Sequence, residues 1–125
     1  MDRSGIKILV VDDSNTNIVL LEAVLKDQGY TILTAPGVAE ALSILDAERP
    51  HLILLDLLIP KVDGYQFLGD IKKNESTKDI PVIIVSAVTN PNDVQRSISL
   101  GAIDYIEKPI NIPVLLSKIK SALSN

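Results

Sequence analysis

The feature that most constrains this chain is a strict alternation of short, nearly continuous apolar runs with segments of helical period. Ile6 to Val11, His51 to Asp56 and Pro81 to Ser86 each contain four consecutive apolar residues, rich in Val, Ile and Leu. Runs of that length and composition read as strands buried on both faces. Tyr30 to Ala35 alternates more and is stopped by Pro36-Gly37, and Ile103 to Lys108 is mixed, so both read as strands with a wetter side. The intervening segments carry helix chemistry. Asp12-Asp13-Ser14-Asn15 can start a helix whose Ile18, Leu21 and Leu25 share a face, with Gly29 as its C-terminal stop. Val38, Ala41, Leu42 and Leu45 fall at i, i+3, i+4 and i+7 and predict a helix ending before Pro50. Gly64, Phe67, Leu68 and Ile71 repeat that spacing after the turn pair Asp63-Gly64, and Lys72 to Glu75 lead out into a polar loop. Asn90 to Asp93 is cap chemistry for a short helix through Leu100, closed by Gly101. Pro113 suits the first turn of a last helix with Ile112, Leu115, Leu116 and Ile119 on one face.

Five strand-helix units in strict alternation imply an α/β fold, a single doubly wound five-stranded parallel sheet with helices on both faces, because parallel neighbours need crossover connections. The most apolar strands, the first, third and fourth, belong in the centre, which leaves the second and fifth at the edges. The order 2-1-3-4-5 satisfies this. Its switch point lies between strands one and three, and ligands of such sheets bind there, outside the carboxyl ends of the strands.

Composition narrows the chemistry. A chain of 125 residues reads as one domain spanning 1–125, long enough to bury roughly two-thirds of its unfolded surface. There is no Cys and one His, which removes disulfides, thiolate nucleophiles, Cys-ligated zinc and polyhistidine metal sites. Twelve Lys and Arg against sixteen Asp and Glu give a net charge of −4, and the longest basic run is Lys72-Lys73, so neither direct nucleic acid binding nor an anionic membrane partner is expected. Met1 to Gly5 leads straight into the first strand without the pattern of a signal peptide, and the apolar runs are too short to span a bilayer. A cytoplasmic location is the expectation.

The strand ends hold the distinctive residues. Strand one ends at Asp12-Asp13, strand three at Asp56, strand four at Ser86 and strand five at Lys108-Pro109. Each has an ordinary reading by itself: Asp12-Asp13 as part of a helix cap, Asp56 as a solvated strand end, Ser86 as a strand-end hydroxyl and Lys108 as a surface lysine. Together they bring three carboxylates, a hydroxyl and an ammonium to one edge. Two carboxylates ~4 Å apart repel by roughly 4 kcal/mol at an effective dielectric near 20, so three demand a cation or a raised pKa. An all-oxygen ligand set suits Mg²⁺. His51, at the opposite edge, reads as a boundary residue.

With these residues in place the chain closely resembles the receiver domain of two-component response regulators. The matching stretches are Ile8-Leu9-Val10-Val11-Asp12-Asp13, Leu54-Leu55-Asp56-Leu57-Leu58-Ile59-Pro60 with Asp63-Gly64, Pro81 to Ala87, and Gly101 to Pro109. Members of that family have the flavodoxin-like order 2-1-3-4-5, so order and resemblance are not independent. The resemblance implies that Asp56 accepts a phosphoryl group from a phosphohistidine on a sensor histidine kinase or histidine phosphotransfer protein. It implies Mg²⁺ held by Asp13, Asp56 and the Leu58 carbonyl, with Asp12 acting through water. Lys108 is expected to pair with one phosphoryl oxygen and Ser86 to donate to another, and the family's Lys-Pro bond is typically cis. Ser86 and Tyr105 would form the switch, altering the face from about Asn92 to Leu123 for a downstream effector protein or domain, or for a phosphorylation-dependent homodimer. A phosphoacceptor of this kind is not a turnover enzyme on external substrates.

Two departures stand out. Leu58 and Val88, two residues beyond Asp56 and Ser86, are apolar where rapidly dephosphorylating members place polar groups, which implies a long-lived phosphorylated state. Ile103 precedes Asp104, and Pro113-Val114-Leu115 stands where the family's winged-helix transcription factors often have Arg-Glu-Leu, so dimerisation through that face is left open. Two other classes compete. A flavin-binding flavodoxin-like protein needs a hydroxyl-rich phosphate loop after strand one, where Asp12-Asp13 would repel the phosphate. An aspartyl-nucleophile phosphatase needs an acid two residues beyond the nucleophile, where Leu58 stands. The receiver pattern fills the whole length, so the signal is expected to pass to another molecule or to a part of a longer protein.

Overall fold

The computed structural model describes residues 5–58, 63–87 and 90–124; Ile59, Pro60 and Val88 of the readings above lie outside the described residues. The elements alternate as expected: β1 (Lys7–Val11), α1 (Asn15–Asp27), β2 (Thr31–Ala35), α2 (Val38–Ala47), β3 (Leu52–Leu55), α3 (Gly64–Lys73), β4 (Val82–Ser86), α4 (Pro91–Ser99), β5 (Asp104–Glu107) and α5 (Ile112–Leu123). The strands pair in parallel in the order β2-β1-β3-β4-β5. The three central strands are buried along almost their whole length, while β2 and β5 stay half-buried, as their sequences require.

Side chains alternate between two cores, because successive residues of a strand point to opposite faces. Ile8, Val10, Leu52, Leu54, Ile83 and Val85 meet Leu21 and Leu25 of α1 and Leu115 and Ile119 of α5. Leu9, Val11, Ile53, Leu55, Val82 and Ile84 meet Ala41 of α2 and Phe67, Leu68 and Ile71 of α3. Each such fully buried aliphatic side chain contributes roughly 1.5–3 kcal/mol, which makes the central strands a rigid base for whatever their ends carry.

Caps define the helix starts. Ser14 Oγ accepts from Asn17 N–H, Asp63 from Tyr65 and Gln66, Asn90 from Asn92 and Asn111 from Val114. At the other end of α1, Gly29 takes φ 93°, the left-handed turn that a Cβ resists.

Three expectations change. Leu42, counted on the core face of α2, is half exposed, and Ile44 takes its place. That helix rests on the edge strand β2 and on β1, and the narrow surface leaves the Leu42 shoulder uncovered. Ile112 opens α5 and stays more than a third exposed, whereas Ala122 completes the buried stripe. Lys72 does not run out into solvent. Its ammonium donates to the Ile80 and Lys78 carbonyls at 2.6 and 3.1 Å, and its burial lowers its pKa against the opposing pull of Asp79. His51 is the boundary residue expected: its Nδ1 accepts from Lys7 N–H at 3.0 Å and its own N–H donates to Lys7 O, tying the starts of β3 and β1.

Candidate functional site

The backbone ladders carry the site residues into place. Beyond the last paired residues, Asp12 N–H donates to Ala35 O, Asp56 N–H to Val11 O and Lys108 N–H to Ser86 O, at 2.9–3.1 Å. Asp12 and Asp56 therefore emerge side by side from the two strands of the switch point, and Lys108 emerges beside the end of β4. One carboxylate oxygen from each of Asp12, Asp13 and Asp56 lies within 4.8 Å of the others, the group that among the described residues fits a metal ion.

Lys108 closes the cluster. Its Nζ lies 2.9 Å from Asp12 Oδ2 and 2.9 Å from Asp56 Oδ2, with the three side chains 15%, 3% and 6% exposed. Burial pulls the Lys108 pKa down, but the hydrogen bonds and charges of Asp12 and Asp56 outweigh it and hold the ammonium above its ordinary range. The Lys108–Pro109 peptide is cis. The remaining carboxylate oxygens face backbone donors: Asp12 Oδ1 accepts from Ser14 N–H at 2.8 Å, and Asp56 Oδ1 from Leu58 N–H at 2.9 Å. The Asp12-Asp13 segment is thus both helix entrance and acidic site, and the cap itself is Ser14. Asp13 is exposed and carries no ion pair among the described residues, so the Lys108 ammonium is shared by two of the three carboxylates and the donor set fits a hard divalent cation. Leu58 stands at the rim with its side chain half exposed and offers no acid beside Asp56.

Ser86 is fully buried at the end of β4, and its side chain hydrogen-bonds the Tyr105 phenol on β5. Burial raises the Tyr105 pKa against that hydrogen bond, and the charges of Asp93 and Asp56 add to the rise. The two expected switch residues are thus in contact.

A neighbouring cluster escaped the sequence reading. Tyr65 on α3 donates its hydroxyl to Asp93 Oδ1 on α4 at 2.6 Å, and the Arg96 guanidinium lies 4.0 Å above the Tyr65 ring. Burial and the Asp93 carboxylate push the Tyr65 pKa up to about 12, with Arg96 opposing. Periodicity gives no sign of a pair 28 residues apart on two helices; the only signal was the acidic residue in the first turn of α4. On the outer face of α4, β5 and α5 lies a groove of about 460 Å³ lined by Val94, Tyr105, Ile106, Pro109, Val114 and Lys118 among others.

The fold is a doubly wound parallel sheet with an acidic, lysine-bridged pocket at its switch point and a hydroxyl-phenol pair beside it. The sequence profile of the response regulator receiver domain matches residues 8–120, and the chain belongs to that family. It is 41% identical over 124 residues to a probable cyclic di-GMP phosphodiesterase of Vibrio cholerae, covering 99% of this chain and 28% of that protein. It is 35% identical to the response regulator PleD of Caulobacter vibrioides, covering 92% of this chain and 25% of that protein. The signal receiver domain of a histidine kinase from Syntrophus aciditrophicus superposes with a TM-score of 0.85 at 38% identity, covering 94% and 89% of the two chains. The chain spans about a quarter to a half of the length of the curated relatives it matches. The family it belongs to acts in two-component phosphorelay signalling. Among the described residues no helix is long and apolar enough to cross a membrane.

Proposed function

We propose that Asp56 is the phosphoryl acceptor. The observation that carries this is the convergence of Asp12, Asp13 and Asp56 within 4.8 Å with Lys108 bridging two of them at 2.9 Å. A carboxylate oxygen of Asp56 attacks the phosphorus of a phosphohistidine on a sensor kinase or histidine phosphotransfer protein. The new P–O bond forms as the P–N bond breaks, and the electron pair leaves with the imidazole nitrogen. Asp13, Asp56 and the Leu58 carbonyl would hold Mg²⁺, with Asp12 contributing through water; the ion supplies charge neutralisation for the transferring group. The Leu58 N–H, already on Asp56 Oδ1, holds the carboxylate in one orientation. Once Asp56 is converted to the acyl phosphate, the Lys108 ammonium can pair with a phosphoryl oxygen in place of Asp56 Oδ2.

Ser86 couples this chemistry to the surface. Turning the Ser86 hydroxyl toward a phosphoryl oxygen draws it away from the Tyr105 phenol with which it is hydrogen-bonded. Losing that partner changes the preferred place of the Tyr105 ring, which lines the groove between α4 and α5. Phosphorylation then shifts the population of the 92–123 face toward the form that an effector binds.

The test is incubation with acetyl phosphate and Mg²⁺ followed by intact mass measurement. Wild type should gain about 80 Da, the mass of one phosphoryl group, and Asp56→Asn should not. Equal labelling of both proteins, or none of wild type, removes the assignment. Sizing the phosphorylated protein tells a second copy from a different effector as the occupant of the groove.

A further inference from the structure

We propose that Gly64 is a positioning residue for the metal and phosphoacceptor site, acting through the backbone of Leu57. This rests on the magnesium reading given above. A Cβ built on Gly64 would stand 2.6 Å from Leu57 O, 2.7 Å from Leu57 Cα and 3.0 Å from Leu57 C. All three are backbone atoms, so no side chain can swing aside. The first turn of α3 is therefore seated directly against the Leu57–Leu58 peptide. Leu57 is itself buried, and the next residue supplies both the N–H that holds Asp56 Oδ1 at 2.9 Å and the carbonyl expected to face the ion.

The size of the disturbance follows from the distances. Ordinary van der Waals contact for a Cβ starts at 3.4 Å, so an alanine must push the Leu57 carbonyl and α3 apart by about 0.8 Å. Mg²⁺ requires near-octahedral ligands at roughly 2.0–2.1 Å, and a carbonyl or carboxylate displaced by that much leaves the shell. Gly69 is the internal comparison. It lies on the same helix, is buried, and has nothing within 4 Å of a built Cβ.

The experiment is calorimetric Mg²⁺ titration of wild type, Gly64→Ala and Gly69→Ala, each below its own melting transition as followed by circular dichroism. Gly69→Ala should bind as wild type does, and Gly64→Ala should bind about 10–100-fold more weakly, the range seen when the support of a metal ligand is lost. A merely structural glycine would lower the melting temperature and leave the affinity alone. A folded Gly64→Ala within about twofold of wild type overturns the proposal. If Gly64→Ala does not fold, a pair of cap variants decides. Asp63→Ala loosens the α3 turn that backs Leu57, whereas Asn90→Ala removes an equivalent cap from α4. Weaker Mg²⁺ binding by Asp63→Ala alone upholds the role of that turn, and equal affinities for the two cap variants refute it. A wild type that binds no Mg²⁺ sinks the magnesium reading itself, an outcome visible before any variant is compared.

Discussion

Replacing Lys108 by Met removes the one cation that, among the described residues, bridges the acidic pocket. The ammonium makes two contacts of 2.9 Å to carboxylates that are 3% and 6% exposed. At an effective dielectric near 20, each contact has a gross Coulomb attraction of roughly 6 kcal/mol. Desolvation of the three ions cancels several kcal/mol apiece, so the pairs add far less than their gross sum. Breaking them is another matter, because the carboxylates stay buried without a counter-charge, and their mutual repulsion within 4.8 Å is at least roughly 3 kcal/mol. The expected loss for Lys108→Met is therefore about 3–5 kcal/mol at pH 7 in chelator, read from urea denaturation.

The mechanism predicts a rescue. Millimolar Mg²⁺ takes over the ammonium's role and restores about 1.4 kcal/mol for ion at ten times its Kd. A deficit below about 1 kcal/mol, or one that Mg²⁺ does not change, would refute the view of Lys108 as the pocket's counter-ion.

Other expectations follow from the same geometry. Tyr65→Phe removes the 2.6 Å bond to Asp93 and should cost about 1–2 kcal/mol, with faster amide exchange in the first turn of α4 and little change in α1; uniform exchange changes would refute the local link. The Tyr65 pKa is higher folded than unfolded, so its stabilisation is complete below pH 10 and is lost as pH rises toward about 12, which phenolate absorbance in wild type and Tyr65→Phe should show. Leu115, fully buried on α5, should lose about 2–5 kcal/mol on truncation to Ala, whereas exposed Leu42→Ala should change stability by less than about 0.5 kcal/mol. The apolar pair Leu58 and Val88 should give slow loss of the phosphoryl group from Asp56. Decay should accelerate in Leu58→Asn with Val88→Glu, and equal or slower decay would contradict it.

The strand order was legible because burial leaves its mark on composition. A strand covered on both faces must be apolar at every position, and Leu52 to Leu55 and Val82 to Val85 are, while Thr31, Thr34, Asp104 and Glu107 betray the edges. The site was legible for a related reason. Parallel strands all end at one edge, so polar residues at the ends of β1, β3, β4 and just beyond β5 had to converge whatever the details of packing. Helix faces were less secure: the period gave the stripe on α3 correctly, but could not tell that the surface beneath α2 stops short of Leu42 or that Ile112 is left uncovered at the start of α5.

By itself, then, the sequence determined which segments are strands, which strands are central, and which side chains meet at the switch point, because those follow from periodicity and chain direction. Tertiary structure alone decided how they meet. It placed one ammonium between Asp12 and Asp56 and left Asp13 without an ion-pair partner among the described residues. It also joined Ser86 to Tyr105, tied Tyr65 to Asp93 and Arg96, and pressed Gly64 onto the Leu57 backbone. These are contacts between elements far apart in the chain, and their distances depend on how helices seat on the sheet, which no local pattern encodes.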